Sequence, residues 1–467
     1  MNNSPTNKKK AAAIISLIVF IGVVFMSAII YNTNTFNIAP EEVGKKEERL
    51  QDSIIRDMTT EGVFIDRYEY NITSPNEPGK AAILNYQECF SSLIGYNSKT
   101  YGVSGLRSRY KENLFPDKKD AVGDTIKLTI DGTLQEYAYN QLYGHIGSLV
   151  IMNAETGEIL ALASRSDPTV GYDAGDIYNR YSEYNEIPKF WYNRAVYTED
   201  PPGSTFKIVT AASMIENGLE DYEFEDSGIY SKFGCNIHNY DNLAFGQVDL
   251  QKGLAKSVNT YFASAGNELG NEKLQVTAER FGYNQNISLD FCELNSNYGR
   301  EHGVNSNFDT AHCAFGQGNL TTSPLHVTMT MQAVINDGVM LKPYLIDSIT
   351  TADKGKVVYE GKTEKLFNSM SKTDARKLQE YLHGNAEDEG YKMGEDNGYY
   401  AYAKTGTAQT GRFNENGSEL YHKYIVCGLK TDDKKYAVCL DFVDLTNPYY
   451  DIKQPMYGIL EYLNNMG

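Results

Sequence analysis

The feature that most constrains this chain is an uninterrupted apolar run near its start. Ala11 to Ile30 reads AAAIISLIVFIGVVFMSAII, with no charge and no proline. Twenty helical residues at about 1.5 Å each reach roughly 30 Å, the thickness of a bilayer core. Lys8, Lys9 and Lys10 stand directly before it, and the positive-inside bias then keeps the N-terminus cytoplasmic. A cleaved signal peptide would have a shorter apolar stretch and an Ala-x-Ala-like end. Met26-Ser27-Ala28-Ile29-Ile30 does not provide one, so an uncleaved anchor is expected over 11–31. Only one such run occurs. The expected organisation is a cytoplasmic tail over 1–10, the anchor, and an extracytoplasmic remainder.

That remainder divides in two. Residues 32–123 are polar, then Tyr- and Gly-rich, and predict a stalk and a small pedestal. From 124 to 467 the pattern sharpens. Asp124–Leu128 is strand-like and Gly132–Tyr143 helical. Two apolar runs around Glu155-Thr156-Gly157 predict a hairpin. Three more strand-like runs come late, Tyr399–Ala408, Tyr424–Lys430 and Tyr436–Val443, and Pro455–Asn464 predicts a closing helix. The middle, Thr205 to about Ala386, reads as mostly helix and loop. The class expected is α+β, an antiparallel sheet built from both ends of the chain with helices against it. The balance of 43 Lys and Arg against 61 Asp and Glu, a net charge of −18, excludes phosphate-neutralising nucleic-acid binders.

The strongest chemical signal is Pro201-Pro202-Gly203-Ser204-Thr205-Phe206-Lys207, which runs on into Ile208-Val209-Thr210-Ala211-Ala212-Ser213-Met214-Ile215. Ser204 suits a helix start. The helix behind it has no polar face wide enough for solvent and must be buried nearly all round. Lys207 shares the serine's face one turn along, and burial favours its neutral amine. A neutral amine beside a hydroxyl can take its proton, which a serine nucleophile requires. Spacing alone is weak, since Ser108/Lys111 and Ser369/Lys372 also fit Ser-x-x-Lys, but in polar sequence. A capping serine with a snorkelling lysine is the bland alternative.

Two further elements follow in order. Ser257-Val258-Asn259 offers a hydroxyl to relay a proton and a carboxamide to hold a peptide. Lys404-Thr405-Gly406-Thr407 lies in a strand-like run and offers a cation and hydroxyls for a carboxylate, with Gly406 admitting substrate to the backbone. Together the three elements resemble the penicillin-recognising serine acyl transferases. More closely, the chain resembles class B penicillin-binding proteins, the membrane-anchored peptidoglycan transpeptidases of the small, elongation type. The resemblance includes Gly62-Val63-Phe64-Ile65-Asp66-Arg67, Gly102-Val103-Ser104-Gly105-Leu106, the stretch Asn153–Ala161, Phe315-Gly316-Gln317-Gly318 and Ser323-Pro324-Leu325.

The resemblance implies that Ser204 is acylated by a D-Ala-D-Ala stem peptide, with Lys207 as its base. Ser257 would pass the proton to the leaving D-alanine, and Asn259 would hold the stem-peptide amide. Lys404 and Thr405 would bind the terminal carboxylate, assisted by Thr407. The backbone N–H groups of Ser204 and Thr407 would form the oxyanion hole. β-Lactams would block Ser204. No cofactor is implied, and Cys235-x-x-His238 lacks a second half for a metal site. A glycan-polymerising partner, such as a SEDS-type membrane glycosyltransferase, is implied because the pedestal is too short for that activity. Three alternatives stay open at this point: a D,D-carboxypeptidase, a β-lactamase, and a non-catalytic β-lactam-binding scaffold or sensor. Cys427 and Cys439 flank the last predicted hairpin and read as buried thiols, or as a disulfide in an oxidising compartment.

Overall fold

The computed structural model describes residues 58–98, 101–166, 192–299, 303–388 and 399–466. The expected anchor, tail and stalk, up to residue 57, lie outside them. Among the described residues no helix is long and apolar enough to cross a membrane.

The principal strands are β1 (Val63–Ile65), β2 (Thr125–Leu128), β3 (Ile146–Asn153), β4 (Ile159–Arg165), β5 (Ile346–Thr350), β6 (Val357–Glu360), β7 (Tyr400–Phe413), β8 (Glu419–Lys430) and β9 (Lys435–Leu445). The helices that matter for the site are α1 (Gly132–Asn140), α2 (Lys207–Glu216), α3 (Asn259–Leu269), α4 (Asn307–Ala314), α5 (Pro324–Ile335), α6 (Lys372–Glu387) and α7 (Lys453–Asn465).

Five strands form one antiparallel sheet in the order β7-β8-β9-β3-β4. Its two sequence-distant halves join between β9 and β3, with Asp441 opposite Ser148 and Leu440 opposite Leu149. Both ends of the chain therefore build one sheet, as the apolar runs predict. Buried residues on nearly every position of β3, β4, β8 and β9 show that helices cover both faces. The central covering helix is α5. Ser323 caps it through Oγ, Pro324 fixes its first turn, and all twelve of its residues are buried. Asp131 caps α1 and Ser371 caps α6 in the same way.

A second sheet has the order β1-β2-β5-β6. β1 runs parallel to β2, and β5 runs antiparallel to it. β2, which the sequence pattern places at the head of the catalytic part, thus pairs with the pedestal strand β1 on one side. On the other it pairs with β5, which returns from more than two hundred residues further along the chain. The expected pedestal, up to residue 123, therefore shares a sheet with two later stretches of sequence. Its core holds a buried ion pair: Arg107 Nε donates to Glu61 at 2.6 Å, while its other nitrogens donate to the carbonyls of Gly95 and Ala82. Each of the three nitrogens has an acceptor, and the charge has its counterion, which is the condition for tolerating a buried guanidinium.

The six cysteines are free and buried. Cys427 pairs in register with Val438 and Cys439 with Val426, so the two stand one position out of register on neighbouring strands.

Candidate active site

The nucleophile turn is shaped by glycine. Gly203 has φ +56° and donates its N–H to the Gly316 carbonyl at 3.0 Å. A Cβ on Gly316, itself at φ +96°, would fall 1.7 Å from the Gly203 carbonyl oxygen, and one on Gly203 would meet the Thr407 oxygen at 2.9 Å. Two glycines thereby let the turn, the Phe315–Gly318 loop and strand β7 meet backbone to backbone. Gly406 extends this contact, since a Cβ there would press on the Pro202 oxygen and the Thr205 methyl, each at 3.1 Å. Gly406, expected to admit substrate to the backbone, also seats β7 against the turn.

Gly203–Phe206 forms one 3₁₀ turn that leads into α2 at Lys207. Ser204 suits a helix start, and a capping role is the bland alternative for it. It lies inside the 3₁₀ turn instead, and neither helix start has a side-chain cap, so the partly exposed hydroxyl is not spent on capping.

Lys207 is fully buried. Its Nζ donates to Ser257 O at 2.7 Å and Asn259 Oδ1 at 2.7 Å, and lies 3.2 Å from Ser257 Oγ. The first two partners only accept, so they occupy two hydrogens. The third is a hydroxyl, which can donate to a lone pair. The site therefore accommodates a neutral amine, whose lone pair meets the Ser257 hydroxyl. Burial, and next the charge of Lys404, hold Lys207 well below the ordinary lysine range. Lys404, also fully buried, donates to Ser257 Oγ at 3.0 Å and to Thr405 O at 2.9 Å. Burial pulls it down to about 7. The Ser257 hydroxyl thus bridges two depressed amines. Ser257 has φ +54°, a left-handed backbone unusual for serine, and it begins the tight entry into α3.

Asn259 Nδ2 donates to the His238 carbonyl at 3.0 Å, which turns Oδ1 toward Lys207. The loop supplying that carbonyl is pinned by residues that sequence reasoning missed. The buried Asp226 carboxylate accepts from Thr260 Oγ1 at 2.7 Å, Asn239 Nδ2 at 2.8 Å, and the N–H groups of Gly228 and Phe245. Asn239 Oδ1 in turn accepts from Thr260 N at the start of α3. The signal was hidden, because Asp226 ends the acidic run Glu220–Asp226 and nothing local marks which member is buried.

Strand β7 carries the third element. Lys404 pairs with Val426, Gly406 with Tyr424 and Thr407 with Lys423. Thr405 and Thr407 are partly exposed where Lys404 and Gly406 are buried. Of the predicted site residues, Lys207, Ser257, Asn259 and Lys404 form one hydrogen-bonded cluster, and Gly406 and Thr407 pack on the turn that holds Ser204. Among the described residues no group of His, Cys, Asp and Glu could hold a metal ion.

A buried lysine one turn from a serine is thus joined through a second serine to a lysine on a sheet edge. Residues 147–455 match the family of the penicillin-binding protein transpeptidase domain, to which this chain belongs. Relatives include the peptidoglycan D,D-transpeptidase MrdA of Escherichia coli K12, 26% identical over 321 residues, covering 66% of this chain and 50% of that one. The stage V sporulation protein D of Bacillus subtilis is 27% identical over 425 residues, covering 81% and 61%. This chain therefore spans about half the length of the first of these relatives. Penicillin-binding protein A of M. tuberculosis, solved as an imipenem acyl-enzyme complex, shares the fold with a TM-score of 0.76 at 19% identity, over 90% of this chain and all of that one. The D,D-transpeptidase domain of an Eggerthella lenta peptidoglycan glycosyltransferase gives a TM-score of 0.75 at 24% identity, over 87% of this chain and all of that one.

Proposed function

We propose that this chain is a peptidoglycan D,D-transpeptidase that cross-links stem peptides through an acyl-enzyme on Ser204. The observation that carries the reading is the Lys207–Ser257–Lys404 chain, in which a hydroxyl at 3.2 and 3.0 Å bridges two fully buried amines. The neutral Lys207 amine takes the Ser204 proton as Oγ attacks the carbonyl of the penultimate D-Ala. The oxyanion sits between the backbone N–H groups of Ser204 and Thr407. As the peptide C–N bond breaks, Ser257 gives its proton to the leaving amine and regains one from the lysine chain. An amine of a second stem peptide then attacks the ester, forming the cross-link and restoring Ser204.

β7 is an edge strand, which supports an extended donor peptide adding alongside it with main-chain hydrogen bonds. Lys404 and the hydroxyls of Thr405 and Thr407 then meet the terminal carboxylate, and Asn259 turns toward the stem-peptide amide. A β-lactam follows the same path and stops at the acyl-enzyme. The apolar run 11–31, preceded by three lysines, supports a membrane anchor with residues 32–467 outside, the pedestal up to 123 and the transpeptidase domain from 124. Glycan polymerisation is assigned to a membrane-embedded glycosyltransferase partner.

The test is product analysis by mass spectrometry after incubation with pentapeptide-bearing glycan. Cross-linked dimers that vanish in Ser204→Ala support a transpeptidase. Tetrapeptides without dimers mean a D,D-carboxypeptidase, and unchanged substrate a binding protein.

A further inference from the structure

His422 is fully buried, yet polar groups meet both of its ring nitrogens. It lies on β8 opposite Ala408, the residue after Lys404-Thr405-Gly406-Thr407. Nδ1 stands 3.3 Å from the Asp200 carboxylate, an ion-pair contact rather than an aligned hydrogen bond, and among the described residues this nitrogen has no hydrogen-bond partner. Nε2 is 2.7 Å from Arg412 Nη2 and 3.5 Å from Asp444. The charged and titratable groups around it come from four places. Arg412 on β7 holds Asp444 on β9 at 2.8 Å. Arg194, from the short helix before the nucleophile turn, lies 3.4 Å from Asp200. Asp441 on β9 is hydrogen-bonded to Ser148, and Tyr424 on β8 stands opposite it.

A guanidinium only donates hydrogen bonds. With Arg412 at 2.7 Å, Nε2 must accept, which leaves the ring proton on Nδ1, facing Asp200. Asp200 is joined backbone to backbone with Thr322 at 2.9 Å and 3.2 Å, and it runs directly into Pro201-Pro202-Gly203-Ser204. Arg412 sits on the strand that carries Lys404. The imidazole thus joins the segment leading into the nucleophile to the strand that closes the other side of the site.

We propose that His422 is a positioning residue for Ser204: its Nδ1–H faces the Asp200 carboxylate at ion-pair distance, its Nε2 accepts from Arg412, and the nucleophile turn is thereby clasped to β7. The clasp also has an acid form. Burial opposes a second ring proton, but the Asp200 and Asp444 carboxylates outweigh it and raise the His422 pKa. That proton has to displace Arg412, leaving Nε2–H to face Asp444.

The rate effect rests on the acyl-transfer reading above; the position of the ring proton does not. On the full-length protein labelled with ¹⁵N-histidine at pH 8, long-range ¹H–¹⁵N correlation is expected to show His422 protonated at Nδ1 and bare at Nε2. A proton on Nε2 overturns the clasp. His422→Phe keeps the ring volume and removes both polar contacts, whereas His422→Asn keeps a donor toward Asp200. Penicillin acylation is expected to slow at least about tenfold in His422→Phe, with drug affinity before acylation unchanged, and to stay within about threefold of wild type in His422→Asn. Equal losses in the two variants, or none, overturn the proposal. If His422→Phe does not fold, Asp200→Asn takes its place, with the same slowing expected and unaltered acylation as the contrary result. A wild-type protein that takes up no penicillin contradicts the proposed function, and the ring-proton measurement then decides the clasp alone.

Discussion

At the scale of single residues, the site depends on two lysines kept short of protons. Lys207→Gln keeps a chain of similar length without a base, and its acylation by penicillin should fall by about a thousandfold or more. Ser257→Ala removes the bridge between the amines and should cost about a hundredfold in the same rate. Lys404 adds a stability signature. Its folded-state pKa of about 7 lies below the ordinary lysine value of 10.5. The unfolded chain therefore binds more protons across that window, and stability rises with pH through it. The charged form of Lys404 is the unfavourable one at low pH. Lys404→Met should flatten the rise in melting temperature between pH 7 and 9; an unchanged slope counts against a depressed Lys404.

The residues of the three elements were legible because the chemistry dictates their types and the chain keeps them at short spacings. Ser204 with Lys207, Ser257 with Asn259, and Lys404 with Thr407 each announce themselves locally. The residues that hold them in place do not. Asp226 reaches Thr260, 34 positions on, and His422 reaches Asp200, 222 positions back. An isolated aspartate or histidine reads the same whether buried or solvated, so only the fold reveals such partners.

At the scale of elements, the site is a meeting of three backbones, and its tolerance for added atoms is graded. Gly316→Ala would place a Cβ 1.7 Å from the Gly203 oxygen, whereas Gly406→Ala makes contacts no closer than 3.1 Å. The first should abolish acylation and lower the melting temperature sharply. The second should slow acylation about tenfold or less while the protein stays folded. Comparable behaviour of the two variants would mean that the glycines do not seat β7. β2, β3, β4, β7, β8, β9, α1 and α7 were readable from apolar alternation and turn residues, whereas β5 and β6 fall in the stretch that reads as helix and loop. The placing of Ser204 inside a 3₁₀ turn was not, because serine favours a helix cap as readily and Gly203's positive φ decides the matter.

At the scale of the whole molecule, the described residues form one compact unit, and Gln135 of α1 ties the pedestal to the catalytic sheet by donating to the carbonyls of both Cys89 and Leu162. β2 and β5 come from stretches far apart in sequence yet lie side by side, a pairing that no local pattern could signal. The partners of the buried Arg107–Glu61 pair all lie in the pedestal, and Arg107→Met leaves a buried carboxylate without its cation, at a cost of about 3–5 kcal/mol. The melting temperature should drop, while the folded fraction takes up penicillin within about twofold of the wild-type rate. A large loss of acylation in the folded fraction would show that the pedestal shapes the site.

The most direct test of the central claim, that Ser204 forms an acyl-enzyme with a neutral Lys207 as its base, is the intact mass of the full-length protein after incubation with a penicillin, beside Ser204→Ala and Lys207→Gln. The expected result is a persistent gain of one penicilloyl mass in the wild type and none in either variant. An adduct that survives in Ser204→Ala, or a wild-type protein that stays unmodified beside intact drug, would contradict it.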